Sequence, residues 1–222
     1  MAGLQLITES RILPVTLTEI KQTLRLDPES YDQDSEIIMM MNSAIKVLED
    51  YLGRSFINKT YDLYLDHIPF YHDETLKDGF SEGPFMEQKA REIMLPKSPV
   101  SSVTYIKYYD DSDTATTFAT SNYYVDTINE PARIVLRRGQ TFPDSGSLRV
   151  ANAYQIRFIS GYGAAAKDIP ETLKQALNLY ISHLYENREI YTEVIQRPIP
   201  MLIHSLLLPY RIVRFGSRIG WY

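Results

Sequence analysis

One change of hydrophobic period, followed by a change back, constrains this chain more than any other feature. Between Asp34 and Leu52 the residues Ile37, Met41, Ile45, Leu48 and Leu52 recur at helical spacing, and Ile38 and Ala44 widen the stripe. From Thr60 to Asp66 the period drops to two, with Tyr61, Leu63 and Leu65 on one face. After Ser160-Gly161-Tyr162-Gly163 the helical spacing returns through Leu173, Leu177, Tyr180 and Leu184. A stripe of one period cannot be buried by an element of the other, because its side chains would spread over every face. The pattern therefore predicts an α+β protein. It combines a small helical bundle, two N-terminal helices plus a long late helix, with an inserted antiparallel β block.

Punctuation residues refine the plan. Thr16-Leu17-Thr18-Glu19 has the form of a capping box and opens a first helix, which the pattern ends at Leu26-Asp27-Pro28. The second helix runs from about Asp34 to Leu52 and stops at Gly53. Beyond Thr60–Asp66, strands are predicted at Glu92–Leu95, Val103–Tyr109, Tyr123–Asp126, Arg133–Arg137 and Tyr154–Ser160, with turn signals between them. Pro170 starts the late helix, which extends to about Arg188, and Met201 to Leu208 forms a short amphipathic piece closed by Pro209. The expected organisation is a discontinuous helical core, 1–58 and 164–210. Into it is inserted a β region, 59–163, with a long loop near 67–88 that lacks any period. A tail, 211–222, follows.

Composition excludes several classes. The 222 residues contain no cysteine, so thiolate metal sites, disulfides and cysteine nucleophiles are impossible. No apolar run approaches the roughly 20 residues of a membrane helix, and Met1 to Arg11 does not read as a secretory signal. The expectation is a protein made in the cytoplasm that binds no membrane. The net charge is −5, with nine acids against four bases in the first fifty residues and four arginines without an acid from Gln196 onward. An acidic chain is a poor candidate for phosphate-driven binding.

Candidate chemistry is sparse. His67, His72, His183 and His204 show no metal-ligand spacing with a flanking acid. Asp110-Asp111-Ser112-Asp113 lacks the glycine and distal glutamate of a calcium loop and reads as a hairpin turn between Tyr109 and Thr116. Ser160-Gly161-Tyr162-Gly163 lacks the phosphate-loop lysine and reads as a turn that needs glycine backbone angles. No nucleophile elbow occurs. These readings predict no enzyme activity, no catalytic residues, no cofactor and no metal.

The tail is the richest segment. Arg211, Arg214, Phe215, Arg218, Trp221 and Tyr222 combine cations with aromatics, the residue types that dominate interface hot spots. They are the expected partner-binding residues. Seventeen tyrosines add interface-prone side chains elsewhere.

The chain resembles the head–tail connector (adaptor, head-completion) proteins of long-tailed phages and gene-transfer agents. The resemblance is carried by Leu13-Pro14-Val15-Thr16-Leu17-Thr18-Glu19-Ile20-Lys21, by Leu48-Glu49-Asp50-Tyr51-Leu52-Gly53-Arg54 and by Leu95-Pro96-Lys97-Ser98-Pro99-Val100. It continues through Pro131-Ala132-Arg133, Ile156 to Gly163, His183-Leu184-Tyr185-Glu186-Asn187-Arg188-Glu189 and Leu207-Leu208-Pro209-Tyr210-Arg211. It covers about residues 12 to 212, while His67–Gln88 looks inserted and the tail extended.

What the resemblance implies is a virion structural protein at the phage neck. It would dock as a homo-oligomeric ring, usually twelvefold in the family, on the portal protein, extend the DNA channel and offer a platform to the next neck protein, a stopper or tail-completion protein. DNA would pass through without specific binding. The alternatives are another neck or tail-completion ring protein, or a nucleic-acid-binding module that uses the basic tail.

Overall fold

The helical stripes and the period-two stripes collapse into two separate hydrophobic clusters. The computed structural model describes residues 2–68, 91–143, 147–187 and 199–212. In chain order the elements are β1 (Ala2–Thr8), α1 (Leu17–Thr23), α2 (Asp34–Leu52), β2 (Lys59–Leu65), β3 (Glu92–Met94) and β4 (Val100–Tyr109). Then come β5 (Ala115–Thr117), β6 (Tyr123–Asp126), β7 (Arg133–Leu136), β8 (Tyr154–Ser160), α3 (Glu171–Glu186) and α4 (Met201–Leu207). The fold is α+β, as the sequence predicts.

Helix α1 starts where its capping box places it. The Glu19 N–H donates to Thr16 Oγ1 at 3.2 Å and the Thr16 N–H to Glu19 Oε2 at 2.7 Å. It ends earlier than expected. Arg25 turns left-handed, with φ 57°, and the Leu26 N–H reaches back to the Lys21 carbonyl at 2.9 Å, a closure that terminates the helix after Thr23. Buried Lys21 then ties the following loop, donating to the Ser30 carbonyl and pairing with Asp34, each at 2.6 Å. Helix α2 matches its predicted span and is stopped by left-handed Gly53, with φ 69°. Its stripe packs with Leu173, Ala176, Leu177 and Ile181 of α3, and Ile203 and Leu207 of α4 close the same cluster.

The strands form two antiparallel sheets, five-stranded β1-β2-β8-β4-β5 and three-stranded β3-β7-β6. Their buried side chains, Leu63, Ile106, Ile156 and Phe158 from the first and Ile93, Tyr123 and Ile134 from the second, form one core. The opposite face of the larger sheet is polar. There Arg157 forks onto buried Asp62 with bonds of 2.7 and 2.6 Å, and the Gln155 amide donates to Asp62 at 2.7 Å.

Two strands depart from expectation. The sequence places residues 2–8 with the helical core; they form β1, paired antiparallel with β2 from Ala2↔Leu65 to Thr8↔Thr60 with a register shift between Leu6 and Thr8. Strand β4 begins at Val100, not Val103, because register shifts between Val100 and Ser102 and between Val103 and Tyr105 break its alternation. The expected loop 67–88, apart from His67 and Ile68, the turn at 144–146 and the end of the late helix at Arg188 lie outside the described residues.

Residues 53–58 stitch the two clusters together. The Ser55 N–H donates to the Ser98 carbonyl at 3.0 Å, the Asn58 N–H to Gly163 at 2.9 Å, and the Tyr162 N–H to the Phe56 carbonyl at 3.2 Å. Gly161 sits in this seam with φ 152°, so close that a Cβ would lie 2.5 Å from the Asn58 nitrogen. The glycine is there for backbone approach, which agrees with its reading as a turn residue. The acidic Asp110–Asp113 run is likewise a hairpin turn: Asp110 Oδ1 accepts from the Ser112 and Thr114 N–H groups at 2.9 and 2.8 Å, between β4 and β5.

Candidate docking surface

The surface around the departure of the C-terminal tail is assembled by Arg54. This residue follows the Gly53 cap of α2, so its guanidinium projects from the seam between the clusters. It is almost fully buried. Its Nη1 donates to Glu130 Oε1 at 2.8 Å, its Nη2 to Glu130 Oε2, and its Nε to the Tyr210 carbonyl. The Tyr162 ring centre lies 6.0 Å from the guanidinium. One side chain thus joins the end of α2, the loop before β7 and the turn that follows α4. Burial alone would lower the Arg54 pKa, but the Glu130 carboxylate outweighs it and holds the charge in place.

The tail leaves beside this node. Leu208–Tyr210 form a single tight turn after α4. The Ile212 N–H then donates to the Leu52 carbonyl at 3.1 Å, an otherwise orphaned acceptor at the end of α2. Arg211 is exposed and its guanidinium stacks 5.0 Å from the centre of the Tyr51 ring, which meets His204 at 6.0 Å. Both arginines stand at the negative end of the α2 dipole, a favourable place for cations.

Helix α4 completes the surface. It buries Ile203 and Leu207, half-buries His204 and Leu206, and leaves Met201 72 %, Leu202 63 % and nearby Leu208 54 % exposed. An apolar patch bordered by a stacked arginine has the composition of a protein interface.

Of the predicted partner-binding residues, the structure places Arg211 at this surface. Arg214, Phe215, Arg218, Trp221 and Tyr222 lie outside the described residues. Sequence reading missed Arg54 and Glu130, which are 76 residues apart and meet only in the fold. The α4 patch did leave a signal, since six of the eight residues from Met201 to Leu208 are apolar, more than one buried stripe requires.

A second exposed apolar row lies on β1, at the edge of the larger sheet. Behind it, Lys59 is buried between two carboxylates, donating to Glu49 Oε2 at 2.7 Å and to Glu9 Oε1 at 2.6 Å. Glu49 Oε1 also accepts from the Phe56 N–H at 2.8 Å. Burial would lower the Lys59 pKa, but the two carboxylates outweigh it and raise it above its ordinary value. This cluster locks the segment after β1 onto α2. Of the other described histidines, His183 contacts the Asn187 side chain at 3.1 Å and His67 is exposed; His72 lies outside the described residues. Among the described residues no group of three or more acids and histidines could hold a metal ion, and no helix is long and apolar enough to cross a membrane.

No protein-family model matches the chain, and no curated protein matches it in sequence. Solved structures do match over nearly its whole length. One is a chain from the neck of an empty gene transfer agent particle computed with C6 symmetry, with TM-score 0.73 and 20 % identity over 97 % of this chain and 99 % of that one. Another comes from the virion of a native gene transfer agent particle, with TM-score 0.72 and 19 % identity over 96 % and 97 %. A third comes from the neck of the native particle computed with C12 symmetry, with TM-score 0.69 and 21 % identity over 97 % and 99 %. This chain therefore shares the fold of those chains over nearly its whole length.

Proposed function

We propose that this chain is a structural protein of a virion or virion-like particle and works at its neck as a head–tail adaptor. In this reading it docks as a ring on the portal protein, extends the DNA channel, and gives the next neck protein its platform. The observation that carries the reading is fold similarity over nearly the full length with chains of gene transfer agent necks. The order and spacing of the connector-like segments, read independently from the sequence, support the same assignment. Neck structures computed with C6 and C12 symmetry support a cyclic assembly.

Two further features fit. Net charge of −5 per copy makes a twelvefold ring carry about −60, a field that keeps passing DNA from adhering to the wall. The α4 patch and Arg211 present a surface of interface composition, and the sequence after it continues with arginines and aromatics. No catalytic or cofactor role is assigned to any residue. Arg211, Arg214, Phe215, Arg218, Trp221 and Tyr222 are proposed to contact the portal or a neighbouring neck subunit.

Electron microscopy of the purified chain mixed with portal complexes from its source particle tests the reading. A ring of added density on the outer end of the portal is expected. Bare portals, under salt conditions where both proteins remain soluble, would overturn it. Deleting Phe215–Tyr222 is expected to abolish portal binding, and unchanged binding would remove the tail from the interface.

A further inference from the structure

Among the described residues the five-stranded sheet has two unpaired edges, β1 on one side and β5 on the other. Exposed edges usually carry protection, because a row of unpaired N–H and C=O groups templates another strand. Charged side chains, proline or brevity are the common safeguards. The seven residues of strand β1, Ala-Gly-Leu-Gln-Leu-Ile-Thr, hold no charge and no proline, and the strand's one irregularity is the register shift between Leu6 and Thr8 at its C-terminal end. Leu4 and Leu6 are in register with core-facing Leu63 and Tyr61, yet are 38 % and 41 % exposed, and Ile7, within the register shift, is 39 % exposed. The strand is held firmly, because the Glu9–Lys59–Glu49 cluster anchors its C-terminal end. An ordered, uncharged and apolar edge is a preformed half of a strand pair. Strand β5 is shorter, but it too is uncharged, with Ala115, Thr116 and Thr117 all exposed.

Geometry selects the occupant. Pairing β1 with β1 of a second copy is isologous and stops at a dimer, whereas pairing β1 with β5 is heterologous and propagates by rotation until it closes. Four antiparallel steps separate the two edges, so β1 and β5 run in the same direction. A neighbour turned through a small angle keeps that direction and meets β1 in parallel pairing. We propose that β1 of each copy adds to the β5 edge of the next, so that the larger sheets join from subunit to subunit. This rests on the ring reading above and assigns the contact between its copies.

The absence of cysteine makes the test clean. Gln5→Cys is combined in three separate variants with Ala115→Cys, Thr116→Cys or Thr117→Cys, all at exposed positions. Paired strands lie about 4.7–4.9 Å apart, within disulfide reach. Each variant is bound to portals, checked for its ring by electron microscopy, oxidised mildly and run without reductant. At least one variant is expected to give a ladder of covalent oligomers that collapses on reduction, while the single variants give none. Rings without cross-links in all three variants overturn the edge pairing and leave the adaptor reading intact. Dimers from Gln5→Cys alone overturn it in favour of a β1–β1 contact. Bare portals with unmodified protein defeat the adaptor reading and, with it, this inference. Leu6→Lys adds a second measure: a charge on the edge is expected to lower ring occupancy on portals at least tenfold, and unchanged occupancy would contradict the proposal.

Discussion

Single side chains decide how the two clusters are held. Lys59 sits between Glu49, which is buried, and Glu9, which is half exposed to solvent. Replacing Lys59 with Met would strand the Glu49 carboxylate in the core. The expected cost is about 3–5 kcal/mol in urea denaturation, recovered in large part by the double variant Lys59→Met with Glu49→Gln. Arg54→Ala removes a smaller share, about 1–3 kcal/mol, because Glu130 can turn to water. It should also release the Tyr210 carbonyl and make the chain near Arg211 more sensitive to protease. Acid stability follows from two aspartates. Burial would raise the Asp62 pKa, but hydrogen bonds from Arg157 and Gln155 outweigh it and bring it below the usual carboxylate value. Asp126 is lowered to about 2 by bonds from the Asn129 side chain and Arg133. Groups depressed in the folded state stabilise it above their unfolded pKa and lose that contribution as pH falls through the folded one. Urea midpoints should therefore hold steady from neutral pH to about 4 and fall between about 4 and 2, with a shallower fall in Asp62→Asn.

At the scale of elements, legibility tracked regularity. Helices α2 and α3 were readable because every turn repeats the stripe that faces the other helix. Strand β1 escaped notice although Leu4 and Leu6 alternate with Gly3 and Gln5; its apolar row is largely exposed, so it lacked the burial logic that marks a strand. The start of β4 was hidden by its two register shifts, which reset the alternation of Ser101 and Ser102. The end of α1 was misplaced because left-handed Arg25 does the work usually given to glycine. The candidate docking surface was half legible. Arg211 announced itself through the composition of its segment, but Arg54, Glu130 and Tyr210 converge only in three dimensions. The turn before α3 yields a direct check. Gly161→Ala would drive a Cβ into the Ile57–Asn58 backbone at a positive φ, and a loss of about 2 kcal/mol or more is expected in thermal or urea unfolding.

At the scale of the whole molecule, two hydrophobic clusters share one backbone seam, residues 53–58, bonded both to Ser98 just before β4 and to Gly163 just after β8. Neither cluster keeps its boundary if that seam opens. Unfolding should therefore be a single cooperative transition, with far-ultraviolet helix signal and near-ultraviolet tyrosine signal coincident in urea. Two separated transitions would show that the clusters are independent.

The bond from the Ile212 N–H to the Leu52 carbonyl also decides how the molecule would carry a mechanical load. It ties the chain after α4 to the end of α2, while Arg54 ties the neighbouring Tyr210 carbonyl to the Glu130 loop of the β region. A pull applied at Ile212 is therefore shared between both hydrophobic clusters instead of peeling α4 away alone.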